Sequence, residues 1–83
     1  MEGYSISLDN RFENITIKDC FLSDIYGLGA EKYGQSAFQG NLILENVARK
    51  GTFGRTKKCT VNLTKDATLE VRGNDNEIDI KRH

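Results

Sequence analysis

The chain has no proline and no tryptophan, one histidine, two cysteines and no net charge. Without proline, its turns must come from glycine, asparagine and aspartate, which tolerate or bracket left-handed backbone. The lone histidine is His83, at the end of the sequence, where order is usually poorest. A serine or cysteine nucleophile would therefore lack a positioned imidazole base. Cys20 and Cys59 are too few for a disulfide framework and have no metal-ligand spacing. Each borders an apolar stretch and reads as a free, small hydrophobe. No apolar run approaches membrane-spanning length and no leader pattern opens the sequence, so a soluble, cytoplasmic chain without membrane contact is expected.

What is present is alternation. Apolar pairs two residues apart occur at Ile6/Leu8, Ile15/Ile17, Leu42/Leu44, Val61/Leu63, Leu69/Val71 and Ile78/Ile80. Residues two apart share one face of an extended strand, so each pair marks a half-buried strand. Successive pairs start 9, 27, 19, 8 and 9 residues apart, close to multiples of nine. Leu, Ile, Val and Phe make up 21 of 83 residues, enough for one thin core in one domain, 1–83.

Along the chain, Tyr4–Leu8 and Phe12–Cys20 read as a hairpin across the turn former Asp9-Asn10. Phe21, Leu22, Ile25 and Tyr26 stand at helical spacing, which predicts a short helical insertion near residues 20–30. Asn41–Val47 is apolar on both faces at its centre and suits a central strand. Cys59–Leu63, Ala67–Val71 and Glu77–Ile80 follow, joined by short polar turns that favour antiparallel pairing. The expected fold is mainly β: a small antiparallel sheet or partly closed barrel of five to six short strands with that one helical insertion. A short irregular β-solenoid is the alternative, because Asn14–Cys20 and Asn41–Val47 look like rungs of parallel β-helices.

Two segments stand out from this scaffold. Residues 1–48 carry three basic and seven acidic groups, whereas 49–58 carry five basic and none acidic. The basic stretch holds Arg49, Lys50, Arg55, Lys57 and Lys58 around Phe53, with two glycines. It could grip single-stranded nucleic acid, dock on an acidic protein surface, or serve as a solvated hairpin tip that suppresses aggregation. The Gly/Tyr-rich stretch sets Tyr26, Leu28, Tyr33 and Phe38 between glycines. Aromatics on adaptable backbone suit a contact surface, or alternatively plug one face of the sheet.

Catalytic constellations are poor. Asp75, Glu77 and Asp79 read as a solvated strand face without calcium-loop spacing, and Gly27-Leu28-Gly29 is too short for a phosphate loop. No enzyme activity, metal or cofactor is expected. The function expected is a small interaction protein that binds a larger protein or assembly and acts by occlusion. An inhibitor or adaptor fits, in the compact, motif-poor style of many bacteriophage proteins. The partner-binding residues would be Tyr26, Leu28, Tyr33, Phe38, Arg49, Lys50, Phe53, Arg55, Lys57 and Lys58. The alternatives are a nucleic-acid module using 49–58 and a structural subunit that assembles through strand edges.

Overall fold

The computed structural model describes residues 4–47 and 58–83. Among the described residues seven strands carry the fold: β1 (Tyr4–Ser7), β2 (Asn14–Cys20), β3 (Leu22–Tyr26), β4 (Asn41–Val47), β5 (Cys59–Leu63), β6 (Thr68–Arg72) and β7 (Ile78–Arg82). Odd strands form one sheet in the order β1-β3-β5-β7, and even strands a second in the order β2-β4-β6. Every pairing between these strands is parallel. The chain thus passes alternately between two sheets and stacks each coil on the one before.

This corrects the antiparallel expectation, and the partly closed barrel with it. The expected hairpin of Tyr4–Leu8 with Phe12–Cys20 does not form: β1 pairs with β3, and β2 with β4. The turns that join successive strands are short, but successive strands lie in different sheets. Parallel neighbours need a crossover of about a dozen residues or more. That crossover exists: residues 64–77 separate β5 from β7, and they include all of β6. One sheet serves as the other's connection. Stacked coils, weighed second from sequence, account for this connectivity where the antiparallel meander does not.

The helical insertion is also overturned, since residues 22–26 are strand β3. Its buried residues are Leu22 and Ile25, three apart rather than two. The register explains the spacing. Tyr4 and Ser5 face Leu22 and Asp24, so β3 carries one extra residue opposite β1. Such a bulge lets two residues three apart face the same side, which imitates a helical pattern in sequence. The only helical geometry among the described residues is a single 3-10 turn, Glu31–Tyr33, closed by Gly34 at φ 71°.

Register shows how coil length varies. Ile6 stacks on Ile25 and Val61 on Ile80, offsets of 19 residues. Ile15 stacks on Leu42 and Leu42 on Leu69, offsets of 27. Ile25 stacks on Val61, an offset of 36. The shortest coil is 19 residues. The stretch 27–40 lengthens the coils that contain it, so the Gly/Tyr-rich segment is an insertion in the solenoid; of the basic stretch only Lys58 is among the described residues.

Between the sheets lie Leu22, Ile25, Leu42, Leu44, Val47, Cys59, Val61 and Leu63, with Leu8, Phe38 and Ala67 at the turns. Burying each large side chain contributes roughly 1.5–3 kcal/mol, which offsets the entropy of ordering so thin a chain. Polar columns run beside the apolar ones. Asn41 Nδ2 donates to Asn14 Oδ1 at 2.8 Å, and the Thr68 hydroxyl donates to Asn41 Oδ1. At the far end of these strands, Asp19, Asn46 and Gly73 form a second column, all with positive φ.

Candidate functional site

A solenoid buries its apolar columns by stacking, so the last coil on each side has one face with nothing against it. The exposures follow this rule. Ile25 and Val61 are fully buried, yet Ile80, next in their column, is 46% exposed. Leu44 is fully buried, yet Val71 beside it is 42% exposed. Leu69 and Ile78 are half-buried against the same core. The opposite end is better covered: Ile6, Ile15 and Ile17 are half-buried, with Leu8 buried near them in sequence. The β6/β7 end is the more open one.

Among the described residues both strands at that end are sheet edges. An edge presents unpaired backbone N–H and C=O groups, a template for another strand. The local frame is held by hydrogen bonds. Arg82 Nη1 donates to the carbonyl oxygens of Thr64 and Ala67, tying β7 to the turn before β6. Asn76 Nδ2 donates to the Arg72 and Gly73 carbonyls, while its Oδ1 accepts from the Val47 N–H. Arg72 and Glu70 pair at 2.6 Å on the exposed face of β6. The His83 N–H donates to the Leu63 carbonyl, and its Nε2 lies 3.3 Å from Asn62 Oδ1.

The residues singled out from sequence are scattered. Tyr26 is exposed at the end of β3, and Tyr33 is 72% exposed on the 3-10 turn, with Lys32 Nζ 5.7 Å from its ring centre. Leu28 is half-buried. Phe38 is fully buried, and its N–H donates to the Gly27 carbonyl, so it plugs the core and is not a surface anchor. Arg49, Lys50, Phe53, Arg55 and Lys57 lie outside the described residues, and Lys58 is exposed. Tyr26 and Tyr33 sit on separate elements.

The cysteines are both free thiols. Cys59 is fully buried, and that burial, with the nearby Asp24 and Cys20, pushes its thiol up to about 11. Cys20 is shifted upward too, by burial and then by Asp19. A raised thiol is a poor nucleophile at neutral pH. Asp75 and Asp79 are exposed and Glu77 half-buried, and among the described residues no group of three potential ligands could hold a metal ion. No helix among the described residues is long and apolar enough to cross a membrane.

Two features escaped sequence reasoning. The open end follows only from strand order, because Val71 and Ile80 look like any other core pair member. An open groove of about 310 Å³ with a mixed polar and apolar lining, beside the starts of β2 and β4, was missed as well. Its carboxamides are spread over two distant segments, Asn10 and Asn14 in one and Gln39 and Asn41 in the other, so no local run marks it in the sequence. No protein-family model, curated protein or solved structure matches the chain.

Proposed function

We propose that the chain is a non-enzymatic interaction module that accepts one extended segment of a partner protein as an added strand along β6. Recognition by strand addition takes affinity from main-chain hydrogen bonds and selectivity from alternate side chains. The observation that carries the reading is the exposure of Val71 and Ile80 within columns whose other members are buried. A bound segment with apolar residues at every second position would cover Leu69 and Val71. It would itself be sequestered, so the action is occlusion.

Strand count favours a partner segment over a second copy. Among the described residues the odd sheet has four strands and the even sheet three. A copy stacked with its β1 on β7 would leave one strand's width, roughly 4.8 Å, empty between β6 and the next β2. A single foreign strand fits that space.

The test uses a synthetic peptide with the sequence of β4, Asn41–Val47, the strand that already covers Leu69 and Val71 from the other side. Titrated into isotope-labelled protein, it should shift amide resonances of 68–72 and slow their hydrogen exchange. A peptide with both leucines changed to serine should not, and Val71→Lys should abolish the effect. Equal binding of the two peptides, or shifts confined to other strands, would overturn the reading. So would a mass that rises with concentration by light scattering and falls in Val71→Lys, which would assign the edge to a second copy.

A further inference from the structure

We infer that the groove at the entrances to β2 and β4 is a binding site for a neutral saccharide. The groove, of about 310 Å³, lies at the small end of the range of roughly 300–1,000 Å³ for small-molecule clefts. It adjoins the start of β6, where Thr68 bonds Gly40 and Asn41, but its lining takes no residue from β6 or β7 and the inference does not depend on the strand-addition reading.

Its walls are fixed by backbone. The Asn41 N–H donates to the Glu13 carbonyl at 2.8 Å, and the Thr68 N–H donates to the Gly40 carbonyl at 3.0 Å. Gly40 forms part of the lining, where a Cβ would stand 1.9 Å from the Glu13 carbonyl oxygen; only glycine lets the two coils approach there. On the other side, Asp9 holds the turn. Its carboxylate accepts from Arg11 Nε at 2.8 Å and from Arg11 Nη2 at 2.7 Å. The N–H of Asn10 then donates to the Ser36 carbonyl, and that of Phe12 to the Asp9 carbonyl.

On this frame the side chains of Asn10, Glu13 and Gln39 line the groove and have no side-chain hydrogen bond among the described residues. Each carboxamide offers a donor and an acceptor in one plane, which matches a pair of neighbouring hydroxyls. The Glu13 carboxylate accepts from further hydroxyls. Phe12 is exposed at the rim and provides an apolar face for the C–H side of a sugar ring. Charge excludes the competing ligands: the lining holds one carboxylate and no cation, and Arg11 outside it is already paired. Phosphates and nucleic acid would be repelled.

Titration with maltose, cellobiose and lactose, followed by amide shifts, tests the proposal. At least one should move the resonances of 10–14 and 39–41 in a saturable manner. Phe12→Ala should weaken that binding about five- to tenfold, and Gln39→Ala should weaken it as well. Both positions are exposed, and circular dichroism verifies that each variant keeps its strands. Val71→Lys should leave sugar binding unchanged, which separates this site from the β6 edge. The proposal fails if none of the three sugars moves these amides. It also fails if both variants bind as the parent does, or if a sulfated oligosaccharide binds more tightly than the neutral ones.

Discussion

Asn46 Nδ2 donates to Asp19 Oδ1 at 3.2 Å, and the two residues, 27 positions apart, hold φ of 52° and 53°. Left-handed backbone is costly for most residues and tolerated by asparagine and aspartate. Gly73, the next member of the column, has φ 82°. The same corner is thus turned three times with three residue types suited to it, each coil corner bonded or packed against the last.

Replacing Asn46 with valine should cost about 1–3 kcal/mol, since a β-branched side chain must occupy left-handed backbone and the bond to Asp19 is lost. Asn46→Gly should cost less than the valine variant, because it relieves the backbone while losing the same bond. Urea unfolding midpoints of the two variants check the order.

Core and surface aromatics should separate sharply. Phe38 is fully buried and Tyr33 largely exposed. Phe38→Ala should cost about 3–5 kcal/mol, a large share of the roughly 5–15 kcal/mol available to a small domain. Tyr33→Ala should stay within about 0.5 kcal/mol. Thermal unfolding of both variants gives the comparison.

Acid should weaken the turn at Asp9. Hydrogen bonds from the Arg11 side chain, then from its backbone N–H, hold the Asp9 carboxyl below its ordinary value of 3.8. A carboxyl depressed in the folded state contributes stability above its unfolded pKa and loses it as pH falls through the folded value. With its carboxamide turned to satisfy both groups, Gln35 donates to Asp9 Oδ2 at 3.2 Å and accepts from Arg11 Nη2 at 3.1 Å. Asp9→Asn should therefore be less stable than the parent at neutral pH, and the gap should close below pH of about 4. Melting temperatures across that range report it; a gap independent of pH would contradict the assignment.

Thiol labelling should distinguish the two cysteines. Buried Cys59 should resist an aromatic disulfide reagent until denaturant opens the core, whereas half-buried Cys20 should react slowly in the native protein. Equal native rates would contradict the burial of Cys59.

The strands were legible because alternation records which face is buried: Ile15/Ile17, Leu42/Leu44 and Val61/Leu63 all lie in strands facing the core. Direction was not, because alternation is identical for parallel and antiparallel neighbours, and short turns suit a hairpin as well as a change of sheet. The signal that separates them is the long register. Asn14–Cys20 and Asn41–Val47 align at 27 residues, and Thr68, Leu69, Val71 and Gly73 continue that alignment. Leu22 and Ile25 misled for a different reason, since a bulge breaks the two-residue period. Phe38 was ambiguous because an aromatic between glycines can face inward or outward, and only its complete burial in the folded chain decides it.

Cross-strand proton contacts in isotope-labelled protein test the stacked-coil topology most directly. Leu42 should contact Ile15 on one side and Leu69 on the other, and Val61 should contact Ile25 and Ile80. Short Hα–Hα contacts between residues 59–63 and 68–72, the mark of a hairpin, would contradict it.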